Sequence, residues 1–82
     1  MKLKINFYNH LRHQLNDAIE VEVTNENIKQ LCLDSLKVGD FEYENKREQI
    51  KEAFCYAIEK DLREKGVIDE NETVEYYTVL TE

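Results

Sequence analysis

The chain has 82 residues, a formal net charge of −7 at pH 7, and 41% hydrophobic residues. This length suffices for one small domain and leaves no material for a second hydrophobic core, so we expect a single domain over residues 1–82. The acidic balance opposes binding to the phosphates of nucleic acid, and no apolar run reaches the roughly 20 residues that a membrane span requires. The composition predicts a folded acidic domain that contacts neither nucleic acid nor a membrane directly.

The negative charge is confined to the second half of the chain. Residues 1–37 hold five basic and five acidic side chains, whereas residues 38–82 hold six basic and thirteen acidic ones. Acidic surfaces attract and orient basic ones, so we take the carboxylates of two base-free runs as candidate partner-binding residues. They are Asp40, Glu42 and Glu44 in the first run, and Asp69, Glu70, Glu72 and Glu75 in the second.

Two segments in the first half alternate apolar and polar residues in the way that half-buried strands do. The apolar positions are Leu3, Ile5 and Phe7 in the first segment, and Ile19, Val21 and Val23 in the second. All of these positions are odd-numbered, so an antiparallel hairpin can place them on one face. The pattern predicts such a hairpin near the start of the chain.

The expected register of this hairpin pairs Leu3 with Val23 and continues without interruption. The same register sets Lys4 against Glu22, Tyr8 against Ala18 and Leu11 against Leu15. An alternative for residues 9–16 is a loop with one helical turn, because Leu11 and Leu15 are also four residues apart. Only the middle of the hairpin is determined by the pattern.

Two helices are predicted next. Thr24 can cap the first, whose apolar residues recur at helical spacing until Gly39. After a connector over residues 40–44, Asn45 and Glu48 have the spacing of a capping box, which predicts the start of the second helix. Its apolar stripe runs unbroken to Leu62, and the next glycine, Gly66, is the expected left-handed stop. The stripe consists of Ile50, Ala53, Phe54, Ala57, Ile58 and Leu62.

The last predicted element is a strand over residues 73–81, which are rich in β-branched and aromatic residues. Its buried face stays open, because Val74, Tyr76 and Leu80 compete with Tyr77 and Val79. The order strand, strand, helix, helix, strand (ββααβ) predicts an α+β fold. We expect a three-stranded sheet, made of the N-terminal hairpin and the C-terminal strand, with both helices packed on one face.

Two cysteines and two histidines are the residues best able to carry chemistry. Cys32 and Cys55 each stand alone within the apolar stripe of a predicted helix, whereas zinc sites commonly bring cysteines in close pairs. His10 and His13 are three residues apart, and no glycine-built turn presents either cysteine as a nucleophile. We therefore expect no metal, no cofactor and no catalytic residue, and we interpret the protein as a non-enzyme. Unpaired cysteines without a secretory leader indicate a reducing, cytoplasmic setting.

Tyrosines supply the remaining candidate contacts. Tyr8 lies on the even face of the hairpin, and Tyr56 lies about 150° from the centre of the second helix stripe at 100° per residue. One of Tyr76 or Tyr77 in the last strand should join them, and we take Tyr77 as the candidate. Because tyrosine is a favoured interface residue, these positions predict contact with a protein partner.

In size, charge and lack of catalytic residues, the chain resembles the small phage-encoded inhibitors of bacterial defence, which include anti-CRISPR proteins and DNA mimics. The resemblance implies a protein-binding module that inhibits a complex by engaging its basic, nucleic-acid-binding surface. The alternative is a homo-oligomeric or accessory subunit that pairs through an open sheet face or strand edge, with its acidity serving solubility.

Overall fold

The computed structural model of the chain describes residues 1–37 and the backbone from residue 41 onward, with side chains described from residue 46. The elements are β1 (Lys2–Asn9), β2 (Gln14–Leu15), β3 (Ile19–Glu22), α1 (Glu26–Ser35), α2 (Phe41–Glu64) and β4 (Glu72–Thr81). The α+β class is confirmed, but the order is βββααβ rather than the predicted ββααβ.

β1 lies in the middle of the sheet and pairs antiparallel with each of the other strands. Its first half pairs with β3 and its end pairs with β2, while β4 runs along its opposite edge. β2 and β3 therefore lie end to end on one side of β1. Within the described residues the sheet has four strands rather than three, because residues 16–18 interrupt the second strand of the predicted hairpin.

The hairpin register differs from the expected one by two residues. Leu3 pairs with Val21 rather than with Val23, which instead donates its N–H to the Met1 carbonyl at 2.7 Å. A shift of two residues keeps every side chain on its face, so the odd-numbered apolar residues remain together. The charged pairs shift in the same way, with Lys2 opposite Glu22 and Lys4 opposite Glu20.

The hairpin closes through a loop over residues 10–13 that the side chain of Asn9 organises. Asn9 Oδ1 accepts the backbone N–H groups of Leu11 and Arg12, each at 3.0 Å, which is the turn that asparagine favours. His13 completes the reversal in a left-handed conformation, with φ of 53°. The hairpin therefore extends to the pair Asn9–Gln14, and the loop occupies only its tip.

The interruption at residues 16–18 moves β2 by one residue relative to β3. Tyr8 consequently pairs with Leu15 rather than with Ala18. The expected Leu11–Leu15 pair on the buried face is wrong, because a one-residue slip transfers a strand to the opposite face. The side chains of Leu11 and Leu15 are 72% and 46% exposed.

The N-cap of helix α1 lies one residue later than predicted. Asn25, not Thr24, is the N-cap, and its side chain accepts the N–H groups of Asn27 and Ile28 at 2.9 and 3.1 Å. Asparagine caps at least as well as threonine, so the exchange is physically reasonable. The helix ends at Ser35, and the predicted stop at Gly39 lies outside the described residues.

Helix α2 starts earlier and ends where predicted. It begins at Phe41, so Asn45 lies inside the helix and is not its cap. At the other end, Gly66 is left-handed with φ of 76°. Its N–H bonds the Arg63 carbonyl at 3.1 Å, and the Val67 N–H bonds the Leu62 carbonyl at 2.9 Å. These two bonds form a Schellman motif, which confirms the predicted stop.

β4 resolves the ambiguity about its buried face by means of two bulges. Asn6 pairs with Tyr76 but Phe7 pairs with Val74, so Glu75 is an extra residue. A second irregularity leaves Leu80 as the extra residue near the end of the strand. An extra residue reverses the alternation of faces. Val74, Tyr77 and Val79 therefore all pack toward the core, and both competing patterns were partly right.

The core lies between the sheet and the two helices. The odd face of β1 meets α2 there, and Leu3, Ile5, Phe54 and Ile58 are fully buried. Ile68, just after the α2 stop, also enters the core, although the stripe pattern did not include it. Both helices therefore cover one face of the sheet, as predicted. Ala53, expected within the α2 stripe, is exposed.

Substitution of Gly66 tests the backbone conformation at the α2 stop. A Cβ atom at Gly66 meets no atom within 4 Å, so the cost of Gly66→Ala comes from the left-handed backbone alone. We expect a loss of about 1 kcal/mol in the free energy of unfolding, measured by urea denaturation, and a smaller loss for Gly66→Asn. Equal stability of Gly66→Ala and the parent chain would contradict the assignment.

Candidate interaction surface

Two carboxylates of the second acidic run build the turn that precedes β4. Asp69 Oδ1 accepts the N–H of Asn71 at 2.8 Å, and Glu72 Oε1 accepts the N–H of Asp69 at 3.2 Å. Glu72 Oε2 also accepts Asn16 Nδ2 at 2.8 Å, which ties the turn to the hairpin. Asp69 and Glu72 therefore have structural contacts in addition to their charge.

Side chains of α2 form hydrogen bonds with the backbone at the start of β4, on the edge that faces away from β1. Glu59 Oε2 accepts the N–H of Val74 at 3.1 Å, and Arg63 Nη2 donates to the Glu72 carbonyl at 2.8 Å. Arg63 Nε also donates to the Asp69 carbonyl at 3.1 Å, and Arg63 pairs with Glu59 at 3.7 Å. These side chains form hydrogen bonds with backbone groups that the unpaired edge of the strand would otherwise expose.

The other carboxylates of this run, Glu70 and Glu75, are exposed and have no hydrogen bond or ion pair within the described part of the chain. Of the first run, Asp40 lies outside the described residues. Glu42 and Glu44 belong to the first turn of α2, where only the backbone is described. Glu42 and Glu44 thus lie at the start of α2 and the turn that carries Glu70 follows its end, while Glu75 lines one groove with Arg47 and Lys51 of the first half of α2.

The face of the sheet away from the helices, here called the outer face, carries the exposed tyrosine of the last strand. That residue is Tyr76, which is 61% exposed and lies opposite Asn6. Tyr8, half-buried on the same face, contacts the His10 ring edge-on at 4.9 Å between centroids. Nε2 of His10 in turn shares a hydrogen bond of 2.7 Å with Thr73 Oγ1.

Tyr77, the candidate chosen from the sequence, lies on the helix side of the sheet. Its ring packs against Phe54 at 4.7 Å between centroids, and its hydroxyl meets Ser35 Oγ at 2.8 Å. Because the Ser35 hydroxyl proton goes to the Cys32 carbonyl at 2.7 Å, Tyr77 is the donor to Ser35. Burial raises the pKa of Tyr77 above its ordinary value of 10.0.

Tyr56 is 70% exposed on the helical layer, as the stripe geometry predicted. The core separates this layer from the outer face that carries Tyr8. The candidate tyrosines therefore do not form one patch, because Tyr8 and Tyr56 lie on opposite sides of the domain and Tyr77 is largely covered.

A groove of about 410 Å³ runs beside β4, between the end of α1 and the first half of α2. Ser35 and Leu36 line it from α1, Arg47 and Lys51 from α2, and four consecutive residues, 75–78, from β4. Consecutive strand residues point to alternate faces, so a groove that touches all four lies along the strand edge. Arg47 Nε also donates to the Ser35 carbonyl at 3.3 Å.

The cysteines lie in and beside the core as free thiols, with Cys32 buried and Cys55 half-buried. Burial raises the pKa of each thiol from 9.0 to about 11. Among the residues that the structure describes, no three His, Cys, Asp or Glu side chains gather in a way that could hold a metal ion. None of the described helices is both long and apolar enough to cross a membrane.

Comparison with protein-family models, with curated proteins and with solved structures finds no match for this chain.

Sequence reasoning missed the groove and the contacts of Glu59 and Arg63 with β4. Glu59 and Arg63 are four residues apart, which is the spacing of a helical ion pair, and this signal was present in the sequence. The groove had no such signal, because it depends on the packing of three elements that are distant in sequence.

Truncation of Glu72 should separate structural from surface carboxylates. Glu72→Ala removes the acceptor for Asp69 N–H and for Asn16, so we expect the free energy of unfolding to fall by about 1 to 3 kcal/mol. The matched variant Glu70→Ala should change it by less than about 0.5 kcal/mol. Urea denaturation measures both, and equal losses would contradict the assigned roles.

Alkaline titration tests the buried thiols. The unfolded chain releases thiol protons near pH 9, while the folded chain retains them to about pH 11, so stability should fall as pH rises between these values. The Cys32→Ala/Cys55→Ala variant should show a flatter dependence of unfolding free energy on pH over this range, under reducing conditions. An unchanged dependence would mean that the thiols ionise alike in both states.

Proposed function

We propose that this chain is a small acidic protein-binding module that inhibits a partner by engaging its basic, nucleic-acid-binding surface. The observation that carries the proposal is the charge of the C-terminal segment, Gly66–Glu82. It holds five acidic residues and no lysine or arginine. Within it, Glu70 and Glu75 are exposed and available to a partner, whereas Asp69 and Glu72 also hold the turn.

An unpaired carboxylate at a surface binds better than one already engaged. A partner that approaches Glu70 or Glu75 need not break an existing ion pair. The contact with its lysines and arginines is therefore formed without the loss of another one. The summed field of the acidic segment also accelerates the encounter with a basic protein. These effects favour a basic protein partner over nucleic acid, whose phosphates the same field repels.

The inhibitory role rests on the resemblance in size and charge to phage-encoded inhibitors of the anti-CRISPR and DNA-mimic type. Glu42 and Glu44 lie in the first turn of α2, whereas Glu70 lies in the turn after its end, and this separation favours two contact patches over one continuous imitation of a duplex. The free thiols agree with action in the reducing cytoplasm. The proposed mechanism is steric and electrostatic occlusion of the partner's nucleic-acid site.

A second candidate is an accessory or homo-oligomeric subunit that binds through the outer face. The observation in its favour is that this face bears Tyr76 and Leu15, both substantially exposed. Such contact would depend on apolar and aromatic burial rather than on charge. Salt therefore discriminates the two candidates, because screening weakens the acidic contact far more than the apolar one.

The experiment is recovery of partners from bacterial lysate with the tagged chain at about 0.1 M and about 1 M salt, where the Debye length is about 10 Å and about 3 Å. We expect a basic nucleic-acid-binding protein, identified by mass spectrometry, to be recovered at low salt and lost at high salt. Reversal of the two available carboxylates, Glu70→Lys with Glu75→Lys, should abolish the recovery.

The matched control reverses two exposed carboxylates of helix α2, Glu52→Lys with Glu64→Lys, and so produces the same net charge. This variant should still recover the partner. Equal loss in both variants would show that net charge alone matters. Recovery of the chain itself at either salt concentration, with no basic protein, would contradict the proposal and favour the second candidate.

A further inference from the structure

Residues 10–15, here called the hairpin tip, form a continuous exposed stretch that combines apolar and basic side chains. All of its residues are exposed, and Leu11 and Leu15 are large apolar side chains open to solvent. The stretch also contains Arg12 and two histidines, and it contains no acid. Apolar side chains that stay exposed beside charged ones are typical of an interaction surface.

Hydrogen bonds within the hairpin fix the shape of the hairpin tip. Asn9 Oδ1 accepts the N–H groups of Leu11 and Arg12, and His13 adopts the left-handed conformation that completes the turn. An ordered turn therefore presents the exposed side chains, and little backbone ordering is needed when another molecule binds them.

The hairpin tip lies directly beside the turn formed by residues 69–72, here called the acidic turn. The His10 N–H bonds the Asn71 carbonyl at 2.8 Å, and Asn16, which follows the tip, donates from Nδ2 to Glu72 Oε2 at 2.8 Å. The acidic turn contains three carboxylates and no base. A basic and apolar surface is thus fastened to an acidic one by hydrogen bonds.

The charges of these two neighbouring surfaces are not neutralised within the described part of the chain. The Arg12 guanidinium and the Glu70 carboxylate have no ion pair or hydrogen bond there, either with each other or with other residues. Each is therefore available to an opposite charge on another molecule.

A surface with a basic part beside an acidic part is complementary to a second copy of itself. In a two-fold symmetric pair the same patch of both copies meets, so the hairpin tip of each copy can face the acidic turn of the other. Arg12 of each copy then meets Glu70 of the other, and Leu11 of each copy loses contact with water. The net charge of −7 on each copy opposes the approach, so the local contact must outweigh this repulsion.

We propose that the chain forms a weak symmetric dimer in which the hairpin tip of each copy binds the acidic turn of the other. The contact is centred on Arg12 and Glu70 rather than on Tyr76 of the outer face. It goes beyond the proposed function and does not depend on it. Because the dimer covers Glu70, a second copy and a basic partner compete for the same carboxylate.

Sedimentation equilibrium of the full chain from about 10 μM to about 1 mM, at about 0.15 M salt and under reducing conditions, tests the dimer. We expect a monomer–dimer equilibrium with a dissociation constant below about 1 mM. Arg12→Glu or Glu70→Lys alone should weaken it at least about tenfold, because each places like charges opposite each other twice. The combined variant exchanges the two charges, keeps the net charge, and should restore the dimer to within about threefold.

Two controls separate this contact from general effects of charge and folding. Lys51→Glu, at an exposed position in the first half of α2, gives the same net charge as Arg12→Glu and should weaken the dimer by less than about threefold. Leu11→Ser leaves the charge unchanged and should weaken it at least about tenfold, because it removes the apolar contact. Circular dichroism verifies that each variant is folded.

A chain that stays monomeric to about 1 mM would overturn the inference. Single reversals that the combined variant fails to restore would contradict the pairing of Arg12 with Glu70. Equal weakening by Lys51→Glu and Arg12→Glu would show that net charge alone accounts for the effect. A dimer that substitution of Leu11, Arg12 and Glu70 leaves unchanged would place the contact on another surface and would also sink the proposal.

Discussion

The fold depends on β1, because each of the other strands pairs with it and its odd face supplies the centre of the core. Leu3, Ile5 and Phe7 are each at most 2% exposed. A strand that is hydrogen-bonded on both edges and buried on one face has little freedom to slip, since a one-residue shift would exchange its apolar and polar faces. β4 and the broken partner strand β2–β3 adapt to β1 by means of bulges and an interruption.

The need to pair β4 with β1 also explains why some carboxylates near β4 bond the backbone while others stay exposed. β4 can pair with β1 only if the turn that follows α2 brings the chain to the edge of β1. Glu72 and Asp69 hold that turn. The beginning of the strand is fastened to α2 by Glu59 and Arg63. Glu59, Asp69 and Glu72 therefore hold the backbone near this end, whereas Glu70 and Glu75 make no such contact among the described residues.

The sequence patterns correctly predicted the features that depend on interactions between residues close together in the chain. The hairpin, the stripe of α2 and the stop at Gly66 follow from alternation, helical spacing and glycine's left-handed conformation, all of which act over a few residues. The register of the hairpin, the bulges in β4 and the start of α2 depend on contacts between distant segments, so the sequence left them open or gave the wrong answer. For the same reason the choice of Tyr77 over Tyr76 missed the exposed residue, because the extra residue Glu75 puts Tyr77, and not Tyr76, on the same face as Val74.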